Sequence, residues 1–264
     1  MAGASGATSA NVVEVFSSIQ GEGPWVGQTT LFVRLGGCDL RCAWCDSPGT
    51  WRPAARGRLE LARGSGAFRM VENPLPIEAL VEACEALDLP AHRFVSITGG
   101  EPLLQPEAVR QLARALAGRG PRIYLETHGL AEAALAQVID AVDVVSMDWK
   151  LVSEVRRERD RKGAPVAPFH EEHERFLRVA RGRAEVYVKI VVTPASTDEE
   201  LAEAARRIAA VDPEIPLVLQ PVTPFGRVGV RPTATRMLAL QASLARVLRD
   251  VRVIPQTHPI WSAR

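Results

Sequence analysis

No excess of either charge sign marks this sequence: 32 Lys and Arg face 31 Asp and Glu, for a formal net charge of +1. A broad polyphosphate-binding surface would need a basic excess, so a nucleic-acid partner is not expected, although a small anionic ligand stays compatible. Long apolar runs are missing too. Nothing approaches the roughly 18 residues of a membrane span, and the opening MAGASGATSA lacks the apolar core of a secretory signal. The expectation is a soluble, cytoplasmic protein with no membrane partner. Cysteine is scarce: of four in 264 residues, Cys38, Cys42 and Cys45 fall within eight positions and Cys84 stands alone. Two disulfides would require one of the clustered three to reach Cys84, so metal ligation is the simpler reading.

The chain does hold material for a substantial core, with 47% hydrophobic residues over a length that α/β barrels commonly fold as one domain, here taken as 1–264. NVVEVF (11–16) and TTLFVRLGG (29–37) read as strands separated by the Gly-rich turn QGEGPWVGQ. From about 48 to 74, Gly, Pro and Arg abound without a sustained period, which suggests an excursion outside the repeating core. Helix-like and strand-like stretches then alternate: helix 76–88, strand 94–98, helix 106–118, strand 122–127, helix 131–139, strand 144–148, a charged stretch 153–170, helix 171–180, strand 184–192, helix 198–210, strand 216–222, helix 233–248 and strand 251–255. The class is α/β, with about six parallel strands forming a barrel or partial barrel, or else an open doubly wound sheet. In either case ligands gather at the C-terminal strand ends, where the sequence places Thr98–Pro102, Glu126–Gly129, Asp148–Lys150 and Gln220.

Cys38-Asp-Leu-Arg-Cys42-Ala-Trp-Cys45 offers three thiolates in one tight loop, which suits three corners of a cubane iron-sulfur cluster and leaves the fourth iron open. An open iron can be chelated by a small molecule bearing an amino group and a carboxylate. Leu40 and Trp44 are placed to shield it from water. A zinc knot completed by a distant His or Cys84, or ordinary core cysteines, are the competing readings. Cys84, in ALVEACEALDL, sits among the apolar positions of an amphipathic helix and reads as packing.

The Cys-x-x-x-Cys-x-x-Cys loop followed by Thr98-Gly99-Gly100-Glu101-Pro102 resembles the radical S-adenosylmethionine superfamily. Within it, FSSIQGEGPWVGQTTLFVRLGGCDLRCAWCDSPGTW, TGGEPLLQ, YLETHG, MDWK, QPVTP and PQTH are similar to the 7-carboxy-7-deazaguanine synthase family of the queuosine pathway. That resemblance implies a modified, incomplete TIM-type barrel and a homodimer. It also implies a 4Fe-4S cluster on Cys38, Cys42 and Cys45, regenerated S-adenosylmethionine, and Mg²⁺ on Ser47. The implied reaction converts 6-carboxy-5,6,7,8-tetrahydropterin to 7-carboxy-7-deazaguanine with loss of ammonia, using electrons from an external donor such as a flavodoxin-like protein. Gly99, Gly100, Glu101, Glu126, Thr127, His128, Ser146, Asp148, Lys150 and Gln220 correspond to cofactor contacts, although His128 stands where relatives often carry Asn. Gln20, Glu22, Arg34, Thr98 and His258 correspond to the pterin pocket, and the 251–264 tail is expected to close it. The implied chemistry assigns no side-chain acid or base.

Each residue has a plainer alternative. Gln20 and Glu22 can be bystanders in a glycine turn, Arg34 can pair with a structural carboxylate, Asp148 and Lys150 can form a strand-end salt bridge, and Ser47 can cap a turn. At the level of function, the alternatives are a radical activase that abstracts hydrogen from a partner protein's glycine, and a structural metal or electron-transfer protein.

Overall fold

Side chains alternate across a pleated strand, so a strand buried on both faces can be apolar on one side and chemically active on the other. The computed structural model, which describes residues 8–161 and 163–261, is built on that division. Ten strands form one mixed sheet: β1 (Val12–Ile19), β2 (Thr29–Leu35), β3 (Arg56–Glu60), β4 (Phe68–Glu72), β5 (Phe94–Gly99), β6 (Arg122–Thr127), β7 (Val144–Asp148), β8 (Glu185–Val192), β9 (Leu217–Pro221) and β10 (Val251–Val253). Their order is β10-β9-β8-β7-β6-β5-β2-β1-β3-β4. From β10 to β2 every pairing is parallel. β1 runs antiparallel to β2, β3 parallel to β1, and β4 antiparallel to β3. The α/β sheet thus resembles a partial barrel. Its parallel run includes β2, the strand that leads into the cysteines, in addition to the six strands that follow.

The 48–74 stretch interrupts the repeating βα units and still carries regular structure. β3 and β4 within it extend the main sheet past β1 and pair as a hairpin, Arg56 to Glu72 through Glu60 to Phe68. Interspersed Arg and Gly hid the alternation. Similarly, the charged stretch after residue 153 contains Val155–Arg157, an antiparallel partner of Leu40–Cys42 inside the cysteine loop.

Helices α1 (Ile77–Glu85), α2 (Pro106–Leu116), α3 (Glu132–Val138), α4 (His170–Ala180), α5 (Asp198–Val211) and α6 (Ala234–Leu244) cover the outer face. The start of α5 is chemically marked, because Thr197 and Glu200 form a reciprocal capping box there. Outward residues such as Val145, Met147, Val188, Ile190 and Leu219 join the α-helices in one apolar core, with Cys84 fully buried in it. The inner face has a smaller floor of Phe94, Tyr124, Val144, Tyr187 and Val218, against which Trp25 and Ile254 pack. Gly23 lets the 20–25 turn reach this floor: its φ is +67°, and a Cβ there would lie 2.2 Å from the Tyr187 hydroxyl.

Among the described residues no helix is long and apolar enough to cross a membrane.

Candidate functional site

Above the aromatic floor lies a cavity of about 830 Å³. Its wall contains Cys38, Cys42, Cys45 and Ser47 from the cysteine loop, and Thr98, Gly99 and Gly100 from the end of β5. Glu126, Thr127, His128, Ser146, Asp148, Lys150 and Gln220 line it from later strand ends, and Gln20, Glu22, Arg34 and His258 complete the set. Residues scattered from 20 to 258 are therefore brought to one volume, as strand-end placement implied. Glu101 is the exception and does not line it.

The cysteine loop is clamped on two sides. Cys38 donates its backbone N–H to Trp51 O (3.2 Å), while Ala43 and Glu158 donate theirs to Glu154 O (2.9 Å) and Asp39 O (2.7 Å). Leu40 is buried with Val155 and Phe169, and Cys38, Cys42 and Trp44 pack on that group, giving the loop an apolar backing. Burial pushes the Cys38 thiol up to about 12 and the Cys42 thiol up to about 11. Unassisted thiolates are unfavourable there, whereas coordinated iron deprotonates a thiol outright. Among the described residues no three His, Cys, Asp or Glu converge on one ion position. A cubane asks for less, because each thiolate takes a different corner, and three cysteines sharing one cavity wall fit that demand.

The glycine strip leans directly on this loop. Gly100 donates to Leu35 O (3.1 Å) and Glu101 donates to Gly37 O (2.8 Å) through their backbone N–H groups. A Cβ on Gly100 would come within 2.3 Å of Gly37 O and 2.8 Å of the Cys38 Cβ, so the strip tolerates no side chain at that point. Glu101, fully buried, accepts from Leu103 N (3.0 Å), Thr127 Oγ1 (2.8 Å) and His128 N (2.8 Å). Its carboxylate ties the strip to the end of β6 instead of facing the cavity. His128 in turn sits 2.8 Å from Asp39 Oδ1. Burial alone would lower the His128 imidazolium, but the Glu101 charge and the Asp39 hydrogen bond outweigh it and raise its pKa. One His thus braces the strip against the cysteine loop.

Four carboxylates organise the remaining wall. Glu126 accepts from Gln20 Nε2 (3.0 Å), Ser96 Oγ (2.7 Å) and Thr98 Oγ1 (3.1 Å). Glu14 accepts from Arg34 Nε (2.8 Å) and from Arg58 Nε (2.8 Å), the latter supplied by β3. Arg34 therefore has the structural carboxylate partner that was its plainer alternative, and it also lines the cavity. Asp148 is bonded to Lys150 Nζ (2.7 Å) and lies 3.0 Å from Lys189 Nζ. Burial would raise its pKa, but the two ammonium groups prevail and hold it at about 2. Glu22 is paired with Lys189 and accepts from Gln220 Nε2 (3.2 Å) and Gln256 Nε2 (2.5 Å).

Ser47 begins the turn that spans Pro48–Thr50, yet its hydroxyl makes no capping bond there and donates to Asp46 Oδ1 at 2.9 Å. Together they present a hydroxyl and a carboxylate, oxygen ligands of the type Mg²⁺ prefers. The tail lies over the 20–25 turn: Thr257 N donates to Gly21 O (2.9 Å), and a Cβ on Gly21 would meet His258 at 2.8 Å. Val251–Val253 itself is a strand, so the covering segment starts after it, and positions 262–264 of the anticipated tail lie outside the described residues, as does Lys162 of the charged run.

Lys189, Glu14, Arg58 and Asp39 line or brace the site but were not among the residues anticipated. Their partners are 167, 20, 44 and 89 positions away, so no local spacing announces them. For Lys189 a weak signal existed: a lone cation inside the apolar run VYVKIVV.

A family model of the radical SAM superfamily matches residues 32–208. The chain is 40% identical over 254 residues to the 7-carboxy-7-deazaguanine synthase of Geobacter sulfurreducens, covering 94% of this chain and 96% of the relative. It is 36% identical over 257 residues to the 7-carboxy-7-deazaguanine synthase of Methanopyrus kandleri, covering 95% and 92%. The crystal structure of QueE from Escherichia coli shares the fold, with a TM-score of 0.60 at 23% identity over 95% of both chains.

Proposed function

Because the chain belongs to the 7-carboxy-7-deazaguanine synthase family of the radical S-adenosylmethionine superfamily, we propose that its cavity converts 6-carboxy-5,6,7,8-tetrahydropterin to 7-carboxy-7-deazaguanine and ammonia. The observation that carries this reading is the single cavity lined at once by the three cysteines, the Gly99–Gly100 strip and the polar set Gln20, Glu22 and Arg34.

Cys38, Cys42 and Cys45 would hold a 4Fe-4S cluster. When bound, the cluster and S-adenosylmethionine supply a one-electron cleavage that yields a 5′-deoxyadenosyl radical able to abstract hydrogen from the substrate. The chain's own contribution is placement and exclusion. Backbone groups of Gly99 and Gly100 would meet the amino-acid end of the cofactor, and Thr127, His128, Ser146, Asp148, Lys150 and Gln220 would surround the rest of it. Glu101 acts behind them by fixing Leu103, Thr127 and His128. Gln20 and Glu22 read the pterin ring, an amide and a carboxylate facing carbonyl and guanidine-like nitrogen groups. Arg34, Thr98 and His258 receive its carboxylate end, where a guanidinium gives a directional pair. Glu126 holds Gln20 and Thr98 in register with one another. Ser47, with Asp46 beside it, is the place for Mg²⁺. Such a neutral hydroxyl is a weak ligand, so metal binding depends on substrate oxygens. The enzyme works as a cytoplasmic homodimer supplied by an external flavodoxin-like one-electron donor.

The test is anaerobic turnover of the reconstituted, reduced protein with S-adenosylmethionine, Mg²⁺ and 6-carboxytetrahydropterin, followed by mass spectrometry. Deazapurine with little net 5′-deoxyadenosine is the expected result. Cofactor cleavage without deazapurine overturns the substrate assignment and points back to a radical activase.

A further inference from the structure

Glu22 and Asp148 lie in parts of the cavity assigned above to different ligands, Glu22 to the pterin and Asp148 to the cofactor. One side chain spans them. Lys189, on the inner face of β8 and only 7% exposed, pairs with Glu22 Oε2 and sits 3.0 Å from Asp148 Oδ1.

The two carboxylates do not depend on it equally. Asp148 has a second cation, Lys150, bonded to its other oxygen at 2.7 Å. Glu22 has no second cation among the described residues, and its remaining partners, Gln220 and Gln256, both donate to Oε1. Lys189 thus holds Oε2 by itself. Burial works against the charged form of Glu22, and the neighbouring ammonium reverses this, lowering its pKa; burial likewise opposes the charge on Lys189, which its carboxylate neighbours raise well above the ordinary lysine range. Lys189 therefore stays an ammonium at neutral pH and is unsuited to act as a base. A buried carboxylate left without its cation would take up a proton or turn away.

We propose that Lys189 is a positioning residue of the pterin site: it fixes Glu22 as an ionised, oriented carboxylate and registers the pterin side of the cavity to Asp148. This rests on the pterin reading above. It assigns to β8 a role that neither the glycine strip nor the cysteine loop supplies. The part of this role that runs through Glu22 disappears once Glu22 is neutral, and that condition makes it measurable.

The experiment is a double-mutant cycle of Glu22→Gln and Lys189→Gln in the reconstituted enzyme, with Lys189→Arg as the charge-conserving variant. Equilibrium binding of 6-carboxytetrahydropterin and the separate KM and kcat are read for each protein. Lys189→Gln is expected to weaken pterin binding and raise KM by about tenfold or more, with a smaller change in kcat, because a buried charge loses its partner. In the Glu22→Gln background the same change is expected to add no more than about twofold, since coupled residues are not additive. Lys189→Arg should recover most of the loss. Should Lys189→Gln fail to fold, the comparison of Glu22→Gln with the double variant, which removes both charges, still decides the matter. Losses that multiply, or a Lys189→Gln defect confined to kcat, overturn the proposal while leaving the pterin reading intact. A wild-type enzyme that neither binds nor converts the pterin overturns both.

Discussion

On its outer face β8 sends Val186, Val188, Ile190 and Val192 into the helix-covered core, whereas its inner face carries Tyr187, Lys189 and Val191 toward the floor and the cavity. β7 divides the same way, with Val145 and Met147 outward and Ser146 and Asp148 inward. The outer row is apolar and stabilises the fold by burial. Charged members of the inner row are unfavourable in isolation and tolerated because each is paired, Lys189 with Glu22 and Asp148, Arg34 with Glu14. One strand thus separates stability from chemistry by a single residue of register, and substitutions one position apart should report on different properties.

The sharpest separation is expected at the cysteine loop. Cys42→Ser should abolish turnover and cluster incorporation, read as iron content and visible absorbance after reconstitution, while the melting temperature of the iron-free protein changes little. A large loss of apo-protein stability would mean that the loop supports the core as well as the chemistry, and would break the comparison. From the opposite side, Ile190→Ala should destabilise the fold by about 2–5 kcal/mol in denaturant titrations, the usual cost of truncating a fully buried Ile, with the pterin KM unchanged. Lys189, its immediate neighbour, should show the reverse pattern.

Gly99 tests the boundary between the two faces. It ends β5 with φ +144°, and a Cβ would lie 2.2 Å from Leu35 O and 2.6 Å from Leu35 N. Gly99→Ala should therefore cost on the order of 1–3 kcal/mol in backbone strain, and more where β2 must move. Because Leu35 leads into the cysteine loop, S-adenosylmethionine affinity should fall with stability. The check is the cofactor-induced change in the cluster's electron paramagnetic resonance signal beside the melting temperature. An effect on stability alone would show that the strip and the loop move independently.

What was legible in the sequence follows the same division. Outer-face periodicity and chain-local chemistry announced themselves: the strands at 122–127 and 144–148 are found at those bounds, and the cysteine loop, the glycine strip and the strand-end polar residues line one cavity. Glu101 shows the limit of a motif, since its place in the strip was plain but its orientation, toward Thr127 and His128, was not. The two strands inside the 48–74 stretch were not legible because β3 alternates Arg56, Arg58 and Glu60 with Gly57 and Leu59, a pattern too polar to look like sheet. Its inward polar members are nonetheless occupied, Arg58 on Glu14 and Glu60 on the backbone N–H groups of Ser17 and Gly66. Inner-face ion pairs join residues that only the folded sheet makes neighbours, so Lys189 and Asp39 were invisible to local spacing.

The smallest expected effect concerns how the inner charges contribute to stability. The Asp148 carboxyl is held at about 2 in the folded protein against an ordinary value of 3.8, so its contribution is fully present above about pH 4 and is lost as the pH falls through about 2. Asp148→Asn cannot ionise. The difference in melting temperature between wild-type and variant apo-protein should be greatest near neutrality, persist to about pH 4, and shrink as acid protonates the wild-type carboxyl. If the difference stayed constant down to the lowest pH at which the protein folds, Asp148 would be contributing through its shape and hydrogen bonds and not through its charge. The Lys150–Asp148–Lys189 arrangement would then have to be read as packing that happens to be polar, which would weaken the division between the two faces where β7 and β8 meet.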